Sequence, residues 1–351
     1  MPSPAEFVFR FLAKLKKFLL ARALFQRVAN MSFFADFGIH EKMLADTLRV
    51  ETYNRAILKY VKPNDVVVDL GTGTGLLAFL ARQKQPKHVY AIDHSNIIAS
   101  AGLIAESNHL SDITFISRYS KSTTLPEKAD VLVQEQMGSW LFNENMVECV
   151  LDLRKRLLKK GARILPNKFE LMIEPIQLKD ECRIPLIWEQ QIHGISFSCL
   201  REQNQAREKQ SVMIRPYEVE RLLCEPAPLL TFDLETVPDV ASIATTLRSH
   251  KVVSTLGRLD GFCLYFKAGF DESIILDTSP FRQEASYTNW QLPLYRVESV
   301  LLEEGTEIDF SLQMNDLKDY KSWDWKYQVT SKAPQATVRC ATSYLKLNKL
   351  Y

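Results

Sequence analysis

The spacing of hydrophobic positions changes twice along the chain and divides it into three regions. In the opening stretch FVFRFLAKLKKFLLARALFQRV, apolar residues recur at helical intervals and basic residues occupy another face. The apolar positions include Phe7, Phe11, Leu15 and Phe18. This pattern predicts a basic amphipathic helix within residues 1–29.

From residue 66 the pattern becomes an alternation of short apolar runs and helical stretches. We predict strands at 66–70, 88–93, 113–117 and 129–135, and helices at 75–84, 95–107 and 143–159. Such alternation is typical of a parallel sheet covered by helices. We therefore expect an α/β domain over residues 30–166.

After Pro166 the apolar segments are short, alternating and separated by turn residues, as in GFCLYFKAGF and IDFSLQM. This favours an antiparallel barrel or sandwich over residues 167–351. A polar, helix-prone insert at about 182–225 interrupts it. The expected fold class is thus α/β plus β.

Composition agrees with a folded, soluble protein of two domains: 351 residues, 46% hydrophobic and 25% charged. The net charge of +2 gives no reason to expect a nucleic-acid partner. Residues 1–28 nevertheless hold six Lys or Arg against one acid. Three roles stay open for this basic helix: it lies on an anionic membrane surface, docks on a partner, or packs on its own body.

The six cysteines form no C-x-x-C pair and follow no secretory signal. We therefore expect a reducing, cytoplasmic location and no metal site. The sequence contains no run of 18 uncharged apolar residues, so we expect no membrane-spanning helix.

The first chemical motif is DLGTGTG, which follows a predicted strand and opens a predicted helix. Its residues Asp69, Gly71, Gly73 and Gly75 allow a ligand to approach the backbone closely. Asp93 ends the next strand, 20 residues after Gly73, where a carboxylate accepts hydrogen bonds from ribose hydroxyls. Together they predict a cofactor that contains a nucleoside.

The G-x-G-x-G spacing differs from the dinucleotide fingerprint G-x-G-x-x-G and favours S-adenosyl-L-methionine over NAD. The methionine carboxylate of that cofactor requires a cation. In FGIHEKMLADTLRVETY, His40, Met43, Asp46 and Arg49 recur at three-residue steps, which places them within reach of one another on a helix. Arg49 is the candidate partner of the carboxylate.

Over residues 30–330 these motifs, with EQMGSWLFNENM and the late Thr288-Asn289-Trp290, resemble the protein arginine N-methyltransferase family in order and interval. The resemblance implies a Rossmann-like domain that binds S-adenosyl-L-methionine and releases S-adenosyl-L-homocysteine. It also implies a β-barrel with a helical dimerisation arm, which the 182–225 insert resembles, and hence a homodimer.

The resemblance assigns Glu135 and Glu144 to a loop in which two glutamates face one guanidinium. Two carboxylates match the donors of that planar cation and aim one nitrogen at the methyl group. The cofactor-binding residues that it implies are His40, Met43, Arg49, Asp69, Gly71, Gly73, Gly75, Asp93 and Ser120. The substrate-binding residues that it implies are Phe34, Met137, Asn289 and Trp290.

Three features, at four positions, depart from the family pattern. Asn30 and Phe34 replace tyrosines that line the substrate, Asn289 replaces a histidine, and Ser120 replaces an acid that contacts adenine. Each lost polar contact is worth about 0.5 to 1.5 kcal/mol, which shifts specificity without abolishing the chemistry.

The resemblance favours arginine in a protein or peptide as the methyl acceptor. The departures keep open free arginine or a small guanidino metabolite. A catalytically silent cofactor-binding scaffold and methylation of oxygen or carbon are further alternatives, although neither has a use for the paired glutamates.

Overall fold

The structure, a computed structural model, describes residues 36–142, 144–204, 211–281 and 288–330. The predicted helix within residues 1–29, together with Asn30 and Phe34, lies outside these residues. The chain forms two compact units. The first comprises the described residues up to Glu135 and Leu157–Ala162, and the second comprises Gln136–Arg156 and the described residues from Arg163 onward. The domain boundary near Pro166 stays a prediction.

The first unit is a sheet with helices. Its helices are α1 (Phe37–Leu44), α2 (Thr47–Tyr60), α3 (Leu76–Arg82) and α4 (Ile98–Ser107). Its strands are β1 (Val66–Leu70), β2 (His88–Asp93), β3 (Ile113–Ser117), β4 (Ala129–Gln134) and β5 (Leu158–Leu165), the last of which continues beyond this unit. The strand order is β3-β2-β1-β4-β5, and β1 to β4 are parallel. The predicted Rossmann-like fold is confirmed.

Strand β1 occupies the centre of this sheet because every one of its residues is apolar or, for Asp69, buried and hydrogen-bonded. Val68 pairs with Tyr90 on one side and with Leu132 on the other. A strand covered on both faces needs such a continuous apolar run. The parallel order brings the carboxyl ends of β1, β2 and β4 to one edge of the sheet, where ligands bind in folds of this kind.

The segment from His40 to Arg49 does not form the single helix that we predicted. Helix α1 ends at Leu44, and α2 begins after Asp46, whose carboxylate accepts a hydrogen bond of 3.0 Å from the backbone amide of Arg49. An aspartate at this position caps a helix start and so competes with continuation of the preceding helix.

The second unit consists of helix α5 (Met146–Arg156), antiparallel strands and short turns. Its longer strands are β6 (Lys168–Leu178), β11 (Pro228–Asp233), β12 (Thr246–Val252), β13 (Gly257–Gly269), β15 (Leu292–Leu302), β16 (Glu307–Met314) and β17 (Trp323–Thr330). Its short strands are β7 (Gln191–Ile192), β8 (Ile195–Ser196), β9 (Ser211–Ile214), β10 (Val219–Leu222) and β14 (Ile275–Asp277).

A seven-stranded sheet has the order β10-β6-β13-β15-β9, with β11 paired to β6 and β14 to β13. Strands β12-β16-β17 form a second sheet, and β7 and β8 form a hairpin. The predicted antiparallel architecture is confirmed, whereas closure into a barrel stays a prediction.

In the described part of the 182–225 insert, the predicted helical structure is limited to short 3₁₀ helices and one α-helix of 4 residues. Its α-helix there is α6 (Arg201–Asn204), whereas β9 and β10 belong to the seven-stranded sheet and the remainder is turns and the hairpin. Isoleucines favour strands, and His193 and Gly194, with φ of 50° and 80°, form the turn of the hairpin. We predicted helices from the polar composition of the insert and did not consider this preference of its isoleucines for strands.

Two absences hold for the part of the chain that the structure describes. It contains no helix both long and apolar enough to cross a membrane. It also brings together no group of three His, Cys, Asp or Glu side chains that could hold a metal ion.

Candidate functional site

The glycine-rich turn of the first unit is fixed to the end of β2. The backbone amides of Gly71 and Thr72 donate to the carbonyl of Ile92, at 2.8 and 3.1 Å. Gly73 and Gly75 have φ of 53° and 93°, a region that favours glycine. These bonds and the two glycines hold the turn in one conformation ahead of helix α3.

Glycine is also required at position 73 because of space. A Cβ atom there would lie 2.9 Å from Cε1 of His40, which is buried on α1. The structure therefore brings the predicted residue His40 directly against the predicted glycine turn.

Asp69, the penultimate residue of β1, is a buried carboxylate with one hydrogen-bonded side-chain oxygen. Its Oδ2 accepts a hydrogen bond of 2.6 Å from the Thr72 hydroxyl, and its Oδ1 meets no donor at hydrogen-bond geometry among the described residues. Burial raises the pKa of Asp69 to about 7, and the negative charges of Asp93 and Glu135 act in the same direction. The nearby backbone amide of Ala78 lowers this pKa, but by less than burial raises it. A cationic ligand group beside Oδ1 would satisfy this oxygen.

Asp93 accepts three hydrogen bonds from its own surroundings. Its Oδ2 accepts from the amide of Gly73 at 2.9 Å, and its Oδ1 accepts from the amide and hydroxyl of Ser95 at 2.8 and 2.7 Å. A carboxylate has about four acceptor positions. One therefore remains for the ribose hydroxyl that the sequence predicts.

Ser120 starts a 3₁₀ turn and is partly exposed. The residue before it, Tyr119, stacks on His94, which follows Asp93, with ring centroids 4.5 Å apart and planes at 20°. Sequence reasoning missed this aromatic pair. The signal was available, because each ring adjoins in sequence a residue assigned to the nucleoside.

The structure joins Arg49 to Glu135, two residues for which we predicted separate roles. Nη1 of Arg49 donates to Oε2 of Glu135 at 2.9 Å, and Nη2 donates to the carbonyl of Met43. Both side chains are largely buried, with 12% and 16% of their surface exposed. The predicted partner of the cofactor carboxylate thus neutralises a predicted acceptor glutamate.

One turn further along α2, the Tyr53 hydroxyl donates to the carbonyl of Gln134 at 2.7 Å. Two residues four apart on one helix therefore bind two successive residues at the end of β4. Sequence reasoning missed Tyr53. The four-residue spacing of Tyr53 from Arg49 places both side chains on one face of α2, and this was the local sign that both bind the end of β4.

In the second unit, Glu144 lies in a loop that leads into α5 and is partly buried. The loop includes Leu141, which is fully buried and has φ of 63°. A leucine rarely adopts this conformation, and the cost is of order 1 kcal/mol. Trp140 holds the loop in place by stacking on Tyr320, with centroids 4.4 Å apart and planes at 5°.

Two predicted substrate-binding residues meet in the same unit. The indole nitrogen of Trp290 donates to the carbonyl of Met137 at 2.9 Å, and both residues are buried. Asn289 is partly exposed between the buried residues Thr288 and Trp290. The predicted loop at 288–290 is therefore anchored to the loop that carries Glu144.

The residues of the first unit fit S-adenosyl-L-methionine by three observations of their own. Asp69 offers a partnerless buried oxygen for the ammonium group, and Asp93 retains an acceptor position for the ribose. The guanidinium of Arg49, which contacts Glu135 and the carbonyl of Met43, carries the positive charge and the planar fork of donors that a carboxylate requires. This fold and site define the class of methyltransferases that use this cofactor.

Comparisons with known proteins specify the family. A family model described as a methyltransferase domain matches residues 61–213, and the arginine methyltransferase oligomerization subdomain matches residues 167–332. Protein arginine N-methyltransferase 6 of Danio rerio is 31% identical over 293 residues, 80% of this chain and 82% of that protein. Protein arginine N-methyltransferase 1 of Dictyostelium discoideum is 30% identical over 281 residues, 78% and 80% of the two chains.

Solved structures agree in fold. The Trypanosoma brucei PRMT1 enzyme-prozyme heterotetrameric complex with AdoHcy matches with a TM-score of 0.74 at 24% identity, covering 87% of this chain and 96% of that one. Protein arginine methyltransferase 10 of Arabidopsis thaliana matches with a TM-score of 0.72 at 20% identity, covering 88% and 97%. The chain belongs to the protein arginine N-methyltransferase family.

Proposed function

We propose that this protein transfers a methyl group from S-adenosyl-L-methionine to a guanidino nitrogen of arginine in a protein substrate. The nitrogen gains the methyl carbon and loses a proton, and the carbon–sulfur bond breaks to leave S-adenosyl-L-homocysteine. The observation that carries the proposal is the position of Glu135, which directly follows β4, the neighbour of the strand β1 that leads into the glycine turn, and which is bound to Arg49. The names of the relatives support a protein acceptor.

In this proposal the cofactor supplies an electrophilic methyl group on a positive sulfur. Asp69 accepts a hydrogen bond from the ammonium group, Arg49 binds the carboxylate, and Asp93 accepts from the ribose. Ser120 accepts from the adenine amino group as a neutral partner, which makes that bond weaker than one to an acid.

Glu135 accepts hydrogen bonds from the acceptor guanidinium, and Glu144 does the same on the strength of the sequence resemblance. Charge-assisted bonds of this kind fix the plane of the guanidinium and direct one nitrogen towards the methyl group. The carboxylates also stabilise the positive charge that develops on that nitrogen. Catalysis is therefore mainly positioning and electrostatics.

A methyl-transfer assay with labelled S-adenosyl-L-methionine tests the function. The full chain is incubated with an Arg/Gly-rich peptide, the same peptide with lysine in place of arginine, and free arginine. We expect label on the arginine peptide alone, located by mass spectrometry. Label on free arginine alone would replace the protein acceptor by a small guanidine, and label on none of them would contradict the enzymatic proposal.

We further propose that the insert mediates association of two copies of this chain. Within twelve residues it carries four exposed isoleucines, the isoleucine group Ile184, Ile187, Ile192 and Ile195. Exposed apolar clusters of this density mark interaction surfaces. The match of residues 167–332 to an oligomerization subdomain supports a second copy as the partner.

A buried polar network holds the root of the insert in place. Asp260 on β13 accepts from Nε of Arg183 at 3.0 Å and from the Ser299 hydroxyl at 2.7 Å. Arg183 also donates to Glu189 at 2.8 Å. Because the Asp260 side chain is only 2% exposed, these bonds are shielded from water and position the isoleucine group before a partner arrives.

A cytoplasmic location is also proposed here. The five cysteines within the described residues are free thiols, which supports a reducing compartment. A role of the N-terminal helix in membrane or partner contact stays a prediction from the sequence.

A further inference from the structure

We propose that Arg49 couples the cofactor to the acceptor: when the cofactor carboxylate binds Arg49, Glu135 becomes available and binds the acceptor guanidinium more tightly. This inference rests on the proposed function, because it takes the cofactor and acceptor roles of the two residues from it. Beyond those roles, it states that cofactor binding at Arg49 increases the affinity of Glu135 for the acceptor, by a factor that can be measured.

Contacts to Glu135 and to the carbonyl of Met43 hold the guanidinium of Arg49. Its Nη1 is 2.9 Å from Oε2 of Glu135, and its Nη2 is bound to the carbonyl of Met43 at the end of α1. The carbonyl contact fixes the guanidinium in the gap between α1 and α2. Arg49 therefore has one location from which it serves both carboxylates.

Without a cofactor carboxylate, the positive charge of Arg49 is directed at Glu135, and an incoming guanidinium must compete with it. With the carboxylate bound, the single charge of Arg49 is shared with one more anion, and Glu135 keeps more of its negative potential. Because Arg49 and Glu135 are 12% and 16% exposed, water screens this change weakly.

The backbone beside Glu135 is held still. The Tyr53 hydroxyl, on the same helix as Arg49, binds the carbonyl of Gln134 at 2.7 Å, and both residues are fully buried. The end of β4 thus stays fixed to α2 whether or not a ligand is bound. What cofactor binding changes at Glu135 is its electrostatic environment rather than its position.

Linkage makes the effect reciprocal: the factor by which the cofactor tightens the acceptor is also the factor by which the acceptor tightens the cofactor. Couplings between two sites are typically about 5-fold to 150-fold. We expect the carboxylate to contribute a factor of at least about 5 here.

Calorimetric titration tests the carboxylate directly. An Arg/Gly-rich peptide is titrated into full-length protein saturated with S-adenosyl-L-homocysteine, or with its decarboxylated analogue, which keeps the nucleoside, sulfur and amine. The expected result is a peptide Kd at least about 5-fold lower with the carboxylate present. Equal Kd values for the two complexes would overturn the inference.

Arg49→Lys tests the residue, because lysine keeps the charge but lacks the planar fork that serves two carboxylates at once. We expect the ratio of the two Kd values to fall towards 1, with affinity for the decarboxylated analogue unchanged as proof of an intact nucleoside site. Arg55→Lys, on the exposed side of the same helix, should keep the wild-type ratio. A wild-type ratio in Arg49→Lys would contradict the role of Arg49.

The methyl-transfer assay distinguishes failure of the coupling from failure of the proposed function. A protein that methylates the peptide but shows equal Kd values refutes the coupling alone. A protein that methylates no arginine refutes the proposed function itself, and the inference with it.

Discussion

The Tyr53 hydroxyl donates a hydrogen bond of 2.7 Å to the carbonyl of Gln134, the residue directly before Glu135. Burial, followed by the negative charge of Glu135, raises the pKa of Tyr53 well above its ordinary value. The phenol therefore stays protonated and remains a donor at any physiological pH. This bond fixes the end of β4 to the helix that carries Arg49.

Tyr53→Phe should destabilise the protein and lower kcat. The substitution removes the hydrogen bond from the phenol to the buried Gln134 carbonyl, which costs about 0.5 to 1.5 kcal/mol, and it loosens the segment before Glu135. Urea unfolding and the peptide methylation assay measure the two effects. Tyr217→Phe, at an exposed tyrosine of the second unit, is the matched control and should leave both unchanged. Wild-type stability of Tyr53→Phe would show that the bond has no weight.

Glu135→Gln should abolish most methyl transfer and leave cofactor binding intact. The change removes a charge that acts on the acceptor and on the charge developing in the transition state, so kcat should fall by about 10²-fold to 10³-fold. Calorimetry with S-adenosyl-L-homocysteine should give a Kd equal to or below that of the wild type, because Arg49 loses a competing carboxylate.

The control for that variant is Glu148→Gln, at a glutamate paired with Lys318 in the second unit. It should retain wild-type turnover. Wild-type turnover in Glu135→Gln itself would refute the assignment of this glutamate to the acceptor.

The cofactor-free protein should lose stability as pH rises from about 4 to about 7. Asp69 has its pKa raised to about 7 by burial, against an ordinary value of 3.8. Between these values the folded protein keeps the proton and the unfolded chain does not. Each pH unit therefore lowers the free energy of unfolding, by on the order of 1 kcal/mol at most. Urea unfolding at a series of pH values measures this slope.

Asp69→Asn should remove that part of the pH dependence. Its amide oxygen can still accept from the Thr72 hydroxyl, and it carries no charge to desolvate. We expect the variant to be at least as stable as the wild type at pH 8 and to bind S-adenosyl-L-homocysteine more weakly. Asp65→Asn, in the turn before β1, serves as the control. An unaltered slope in Asp69→Asn would assign the pH dependence to other groups.

The sequence determined the first unit closely where local pattern and burial agree. The runs VVVDL and HVYAID predict β1 and β2 to the residue because both strands are buried and apolar. The helix predicted over 143–159 instead ends at Arg156, because β5 begins at Leu158 and Gly161, with φ of 78°, lies inside that strand. Pairing with β4, a tertiary contact, decides this segment.

The candidate site was predictable in its parts but not in its connections. The glycine turn and the acids follow from spacing along the chain. The contact between Arg49 and Glu135 joins residues 86 positions apart, and no local pattern encodes it. The break before Asp46 was readable as a helix cap, yet the three-residue spacing of polar positions favoured a continuous helix.

Ile184→Asp combined with Ile195→Asp should convert the proposed dimer into a monomer. These side chains are 73% and 64% exposed, and a charge at each would have to be desolvated in an apolar interface. Light scattering after gel filtration should show half the wild-type mass. Leu301→Asp, at a leucine 69% exposed on β15, should leave the mass unchanged. A double variant that keeps the wild-type mass would place the interface elsewhere.

Lys251→Met should cost far more stability than loss of a surface charge pair. Nζ of Lys251 on β12 lies 2.8 and 2.7 Å from the carboxylate oxygens of Glu174 on β6, whose side chain is 0% exposed. This pair joins the three-stranded sheet to the seven-stranded sheet. Without the lysine, Glu174 is a buried charge with no cation, which costs about 3 to 5 kcal/mol.

Urea unfolding of Lys251→Met should therefore be compared with that of Lys318→Met, which breaks an exposed pair and should cost at most about 1 kcal/mol. Burial already raises the pKa of Glu174, and loss of Lys251 would raise it further, so the deficit should shrink as pH falls and Glu174 takes up a proton. Adding Glu174→Gln to Lys251→Met should recover most of the stability, because no charge is then buried. Equal losses in the two lysine variants would mean that water reaches Glu174 and that the pair does not join the sheets.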